Sequence, residues 1–189
     1  MLKNFFNLSA LVMILSLVLS TNAFAAASYP NSSTAVKPGD ILVTSDTSSS
    51  GLTGHAGIVV NSTYLVEIKG AGYHPQKTAI SSFFNSHRNK VRVVRYNNAT
   101  AAQKAANWAN NYQAKYSNVS YDFDDLYQYN KSTYCSKIVW DAYHFGANVN
   151  FSTARFNLGN VTVPYWIQVA TPYGLLNEGS LVLAQDSNW

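Results

Sequence analysis

The 189-residue sequence is poor in cysteine and in charged residues, and both shortages limit what the protein can be. Cys135 is the only cysteine, which excludes an internal disulfide and a lipid-modified cysteine near the N-terminus. Charged residues make up 12% and apolar residues 47% of the chain, a balance that argues against intrinsic disorder. The net charge of +4 is small and dispersed, so we expect no nucleic-acid partner.

A continuous hydrophobic run occurs only near the N-terminus, from Leu8 to Leu19. It follows Lys3 and precedes the small residues of Thr21–Ala27, an order that predicts a signal peptide over residues 1–27. The run is shorter than the roughly 20 residues that cross a bilayer, so we expect no integral membrane segment after processing. A retained anchor is the alternative. Residues 28–189 then form one exported domain, expected to be secreted or held in the cell envelope as a monomer.

The patterns of the remaining chain predict an α+β fold in which an antiparallel sheet packs against helices. Apolar periodicity predicts a helix over Ala101–Tyr116, capped by Thr100, and a second helix that begins near Cys135. Ser132 or Thr133 is the expected N-cap of the second helix, and Gly146 its C-terminal cap. Strands and a helical turn are expected in segments 40–44, 55–60, 64–68, 80–84, 91–96 and 181–183.

The predicted strands 55–60 and 64–68 are expected to form a hairpin that places a histidine near a carboxylate. If Asn61–Thr63 is the turn, Gly57 lies opposite Glu67, and His55 projects from the same face as its diagonal neighbour. A hydrogen bond between His55 and Glu67 is therefore feasible. The alternatives for Glu67 are an edge-strand carboxylate that faces water and a salt bridge to a lysine without a catalytic role.

Cys135 falls in the first turn of its predicted helix, where free backbone N–H groups and the helix dipole favour an anion. These features lower the pKa of a thiol, and a neighbouring histidine lowers it further. Cys135, His55 and Glu67 would thus supply a nucleophile, a base and an orienting group. The alternative is that Cys135 is a small buried hydrophobic residue.

Four segments of the chain, taken together, resemble the circularly permuted papain-like amidases of the NlpC type, the YiiX/YebB-like group. In that group the histidine strand precedes the cysteine helix, as it does here. The segments are Gly39–Leu42, Gly54–Val60, Val66–Glu67 and Tyr134–Trp140.

The resemblance implies a permuted papain-like fold and an exported cysteine amidohydrolase or peptidase without a cofactor or metal. It assigns Cys135 as nucleophile, His55 as general base and then acid, and Glu67 as the group that orients the imidazole. Tyr121 resembles a residue ahead of the cysteine helix that helps bind the oxyanion, and Tyr134 and Ser136 flank the nucleophile as further oxyanion or substrate-binding candidates. Export favours a peptide or peptidoglycan-derived substrate with a scissile amide bond.

Two other functions fit the same residues. One is an acyltransferase or thioesterase that acts on lipid-type acyl substrates. The other is a non-catalytic module that binds cell walls through the aromatic residues Tyr165, Trp166 and Tyr173, which otherwise close the core. The remaining histidines, His74, His87 and His144, lack the spacing of a metal site and are expected to be surface or packing residues.

Overall fold

The computed structural model describes residues 27–48, 54–157 and 166–189. Except for Ala27, the predicted signal peptide lies outside these residues, as do residues 49–53 of the predicted 45–53 loop. The strands are β1 Ile41–Thr44, β2 His55–Val59, β3 Tyr64–Glu67, β4 Gln76–Ala79, β5 Val91–Tyr96, β6 Ser120–Tyr121, β7 Ser132–Thr133, β8 Ala154–Asn157, β9 Trp166–Val169 and β10 Leu181–Ser187. The helices are α1 Ile80–Ser86, α2 Ala99–Lys115, α3 Cys135–Ala147 and α4 Pro172–Leu176.

Six of these strands form one antiparallel sheet in the order β10-β5-β1-β2-β3-β4. The central strand β1 pairs with β2 so that Thr44 lies opposite His55 and Ile41 opposite Ile58. Helices cover the sheet, which confirms the predicted α+β architecture. Among the described helices, none combines the length and the apolar character that crossing a membrane requires.

The two faces of the sheet bury different sets of apolar side chains, because successive residues of a strand point to opposite sides. One face packs against α2 and α3, and its core includes Ile41, Val43, Ala56, Ile58, Val66, Val94, Ile138, Val139 and Ala142. The other face packs against α1 and the segment before β1, and its core includes Tyr29, Leu42, Val59, Leu65, Phe83, Phe84, Val91 and Val93. His55 and Glu67 each lie one residue from a core position, Ala56 and Val66, at the ends of β2 and β3.

Both predicted helices form, but their caps differ from the prediction. Helix α2 begins at Ala99, and its N-cap is Asn98, whose side chain accepts a hydrogen bond from the N–H of Ala101 at 3.0 Å. Thr100, the predicted cap, lies inside the first turn. Asn98 takes the role because its short amide side chain reaches the free N–H groups of the first turn.

The predicted caps of α3 are also wrong. Ser132 and Thr133 are not its N-cap, because they form β7 and pair in parallel with β6; Tyr134 occupies the cap position without a side-chain bond. Gly146 is inside the helix, and the C-cap is Asn148 in the left-handed conformation (φ 55°). Gly146 serves packing instead, since a Cβ there would lie 2.6 Å from the Cβ of Trp108 on α2.

Several short elements carry no readable sequence pattern. Strand β4 begins at Gln76, in a segment expected to be a loop, and pairs with β3 so that Gln76 lies opposite Glu67. The two-residue pairing of β6 with β7, the β8–β9 pair and α4 were not predicted either. These elements are too short to show a period, yet β4, β6 and β7 border the candidate site.

Candidate active site

The β2–β3 hairpin forms in the predicted register and joins His55 to Glu67. Ile58 lies opposite Val66 and Val59 opposite Leu65, so the two functional side chains are diagonal neighbours. His55 Nε2 and Glu67 Oε2 are 2.6 Å apart, and the two residues are only 6% and 2% exposed. The predicted hydrogen bond is confirmed, and the burial of Glu67 excludes the water-facing alternative.

Two residues of β4 bind the second oxygen of Glu67. Thr78 Oγ1 donates a hydrogen bond to Glu67 Oε1 at 2.5 Å, and Gln76 Nε2 lies 3.5 Å from the same oxygen. Burial alone would raise the pKa of Glu67, but the hydrogen bond and charge of His55, together with the Thr78 hydroxyl, lower it. Glu67 is therefore a carboxylate that holds the imidazole through Nε2 and leaves Nδ1 for another partner.

That partner is Cys135, the first residue of α3. Burial opposes ionisation of the thiol, but the hydrogen bond and charge of His55 and the backbone N–H groups of Ala56 and Ser136 outweigh it and lower the pKa of Cys135. Burial also opposes a charged imidazole, yet Cys135 and Glu67 raise the pKa of His55 to about 9. Both shifts favour a thiolate beside an imidazolium over the neutral pair.

Tyr121 brings a neutral hydroxyl to the same sulfur. The parallel pairing of β6 with β7 sets Tyr121 opposite Thr133, two residues before Cys135, and the phenol hydrogen-bonds to the thiol. Burial and the adjacent thiol charge raise the pKa of Tyr121, so its hydroxyl stays protonated and able to donate. This is the arrangement that an oxyanion donor requires.

Tyr134 and Ser136 flank Cys135 but direct their side chains elsewhere. The Tyr134 hydroxyl accepts a hydrogen bond from the N–H of Ala170 at 3.0 Å, and Ser136 Oγ donates to the carbonyl of Ala170 at 2.9 Å. Both side chains thus fix the segment after β9 against the start of α3. The contribution of Ser136 to the site is its backbone N–H, which faces the sulfur.

Phe83 and His87 border the site and were not predicted as part of it. Their ring centroids each lie 5.7 Å from that of His55, and His87 Nδ1 donates to the carbonyl of Asp46 at 2.8 Å. Burial, together with the charge of His55, lowers the pKa of His87, so this second imidazole is neutral at pH 7. Phe83 belongs to an ordinary amphipathic turn, so its spacing gave no sign of this role.

The other candidates lie away from the thiol. His74 Nδ1 contacts the carbonyl of Val119 at 3.0 Å, and His144 stacks on Trp140 with centroids 4.3 Å apart. Tyr165 lies outside the described residues, and Trp166 is the first residue of β9. No group of three or more His, Cys, Asp or Glu side chains within residues 27–48, 54–157 and 166–189 is arranged to hold a metal ion.

Comparison with known proteins shows the fold and the family of this chain. The crystal structure of the metalloprotein YiiX from Escherichia coli O157:H7 superposes with a TM-score of 0.59 at 19% identity, over 79% of this chain and 97% of YiiX. This similarity confirms the permuted papain-like fold.

A Bacillus thuringiensis relative, described as an uncharacterized 30.3 kDa protein, is 33% identical over 153 residues. The alignment covers 75% of this chain and 53% of the relative, so the chain spans about half the length of that protein. The family model of lipoprotein N-acylation proteins similar to LnsA matches residues 2–169. The chain therefore belongs to the LnsA-like lipoprotein N-acylation family.

Proposed function

We propose that the protein is a cysteine acyltransferase that takes a fatty acyl group from a lipid ester onto Cys135 and passes it to the amino group of a lipoprotein. The observation that carries the proposal is the contact of Cys135 with His55, which Glu67 orients. The family description supplies the acceptor class, a lipoprotein that becomes N-acylated. The buried ion pair supplies the chemistry that any acyl transfer through a thiol needs.

In the first half-reaction, Cys135 Sγ attacks the carbonyl carbon of the ester. The negative charge that develops on the carbonyl oxygen receives hydrogen bonds from the Tyr121 hydroxyl and the backbone N–H of Ser136. The ester C–O bond then breaks, and His55 gives its proton to the departing alkoxide. The products are an S-acyl enzyme and a lipid alcohol, and His55 is now neutral.

In the second half-reaction, a neutral amine attacks the thioester carbon and His55 accepts the proton that the nitrogen loses. The C–S bond breaks, an amide forms, and the thiolate beside a protonated His55 is restored. Glu67 keeps its charge throughout and stabilises the imidazolium at both ends of the cycle. Every proton therefore moves through one imidazole.

The amidase predicted from sequence uses the same thioester, but water is the acceptor and an amide is the donor. The family match favours amine acylation, because N-acylation forms an amide whereas an amidase hydrolyses one. The proposal thus replaces the peptidoglycan-derived substrate with a lipid donor and a lipoprotein acceptor. It retains export through residues 1–27 and a monomeric protein, both of which still rest on the sequence.

Intact-protein mass spectrometry tests this proposal. The wild-type protein, incubated with phosphatidylglycerol vesicles, should gain the mass of one fatty acyl group, and hydroxylamine should remove it as expected for a thioester. A synthetic peptide that begins with diacylglyceryl-cysteine should discharge the group and become N-acylated.

The variant Cys135→Ala should lose transfer by at least about a thousandfold, since the nucleophile is absent. His144→Ala, which alters a histidine on the same helix away from the thiol, is the matched control and should transfer normally. Full transfer activity in Cys135→Ala would refute the mechanism. Release of free fatty acid with no peptide product would instead establish a hydrolase.

A further inference from the structure

An open cleft of about 440 Å³ lies beside the catalytic end of the sheet. Its volume is within the range of roughly 300–1,000 Å³ typical of ligand pockets. The cleft lies between α4 and the strands β5 and β10, on the sheet face that also packs against α3. Its apolar lining consists of Val94, Tyr173, Leu176, Leu183 and Trp189.

The cleft borders the site, because its lining residue Ser45 follows Thr44, the residue that pairs with His55. Ala170 is bonded to both Tyr134 and Ser136, the two neighbours of Cys135. Three residues later, Tyr173 packs so closely on Gly54 that a Cβ there would lie 3.0 Å from the tyrosine ring. Gly54 directly precedes His55, so the Tyr173 wall of the cleft lies beside the residue before the catalytic histidine.

The far wall of the cleft is apolar although it faces solvent. Leu183 is 57% exposed on the edge strand β10, and Trp189 is 36% exposed. The guanidinium of Arg92 lies 4.5 Å from the centroid of the Trp189 ring, and its Nε donates to Asp186 at 2.9 Å. These contacts hold the Trp189 indole in place, so that it forms one wall of the cleft. Exposed apolar surface of this kind marks an interaction site.

We propose that this cleft binds the fatty acyl chain of the donor, with the chain running from Cys135 past Gly54 and Tyr173 to Leu183. The inference rests on the proposed acyl transfer, and it adds the place where the chain is held. Five of the eight residues that line the cleft are apolar or aromatic, with Ser45, Arg92 and Asn177 as the polar ones, and the cleft lies beside the catalytic end of the sheet and is open along β10. A long hydrocarbon attached to the thiol needs each of these features.

A chain-length comparison tests this inference. Acyl-enzyme formation is measured with p-nitrophenyl esters of butyric and palmitic acid, which differ only in chain length. Leu183→Trp places a larger side chain into the cleft from an exposed position, so the fold should tolerate it. We expect the palmitoyl rate to fall by at least about tenfold and the butyryl rate to stay within about twofold.

The matched control is Val182→Trp. Val182 is 54% exposed on the same strand, but it pairs with Arg95, whereas Leu183 pairs with Val94, so the two side chains point to opposite faces. This control should leave both rates unchanged. Equal losses with the two esters in Leu183→Trp, or no loss with either, would overturn the inference.

A binding measurement distinguishes binding of the acyl chain in the cleft from acyl transfer at Cys135. The Cys135→Ser variant is titrated with a fluorescent palmitic acid, and Leu183→Trp introduced into that background should weaken binding by about tenfold. Absence of binding to Cys135→Ser would refute the acyl-chain site even if acyl transfer is real. Binding that depends on Leu183, in a protein that no ester acylates, would support the cleft and reject the proposed transfer.

Discussion

Two buried carboxylates, Glu67 and Asp40, lie at opposite ends of the same sheet and show how a polar network becomes either reactive or purely structural. At one end, Glu67 bonds His55 and Thr78. At the other, Asp40 accepts hydrogen bonds from the Tyr29 hydroxyl at 2.6 Å and from Arg95 Nε at 2.6 Å. Both carboxylates are almost fully buried, so both depend on protein partners for their hydrogen bonds.

The difference lies in what the partner can do with a proton. Arg95 binds both oxygens of Asp40 and never releases its proton in a protein, so this network has a single state. His55 can lose its proton, and its second neighbour is a thiol that can gain one. The Asp40 network is therefore an anchor for the start of β1, whereas the Glu67 network can carry out acid–base chemistry.

The largest effect expected from this comparison is on the reactivity of Cys135 in His55→Ala. In the wild type, the lowered thiol pKa and the His55 pKa of about 9 define the window in which thiolate and imidazolium coexist. The rate of acyl-enzyme formation should rise with pH as the thiol ionises. It should fall again near pH 9, where the imidazolium proton needed by the leaving group is lost.

His55→Ala should shift the pH at which iodoacetamide alkylates Cys135 upward, to the ordinary thiol pKa of about 8.5 or higher. The acyl-transfer rate should fall by about a thousandfold or more. The same scan on His144→Ala controls for the loss of a histidine. An unchanged alkylation profile in His55→Ala would show that the imidazole does not set the state of the thiol.

Substitution of Asp40 should lower the stability of the protein and leave the rate of acyl-enzyme formation unchanged. Asp40→Ala leaves the buried Tyr29 hydroxyl and the N–H of Lys37 without their acceptor, which costs about 2–4 kcal/mol of unfolding free energy. The folded fraction should still form the acyl-enzyme at the normal rate. Denaturant unfolding and single-turnover acylation measure the two quantities on the same sample.

Asp186→Ala is the control for that substitution, because Asp186 forms an exposed ion pair with Arg92 on the same pair of strands that carries Arg95. Exposed pairs contribute under about 1 kcal/mol, so its midpoint should move little. A comparable loss in both variants would contradict the assignment of the Asp40 network as an anchor.

The positions of His55, Glu67 and Cys135 within their elements agree with the sequence prediction, because those positions depend on local geometry. A three-residue turn fixed the register of the hairpin, and the alternation of side chains then placed His55 diagonal to Glu67. Helical periodicity likewise placed Cys135 in the first turn of α3. Both inferences needed only residues that are close along the chain.

No local sequence pattern reveals the residues that support the site, because long-range pairing positions them. Thr78 reaches Glu67 only because β4 pairs with β3, and the polar sequence of β4 has no apolar alternation to signal a strand. Tyr121 reaches the thiol through a two-residue parallel bridge, so only the family resemblance pointed to it. The cleft beside α4 combines strands that are distant in sequence, and no local pattern describes it.

The smallest predicted effect concerns Thr78, whose hydroxyl donates to Glu67 but does not touch the thiol. Thr78→Val removes that donor while keeping the shape of the side chain. Because the hydroxyl helps to lower the pKa of Glu67, its loss should raise that pKa and weaken the carboxylate as a partner of His55. The acid limb of the pH–rate profile should then move upward, with a loss of about tenfold in rate.

Thr78→Ser retains a hydroxyl and should restore most of the wild-type profile, which a merely structural effect of losing Thr78 would not explain. Lys77→Ala, next to Thr78 on β4 but exposed, controls for disturbance of the strand. If Thr78→Val lowered the rate equally at every pH, Thr78 would act through packing. A shift of the acid limb that Thr78→Ser reverses would instead extend the catalytic network of the hairpin to a third strand, because His55 and Glu67 would then depend on a hydrogen bond that β4 supplies.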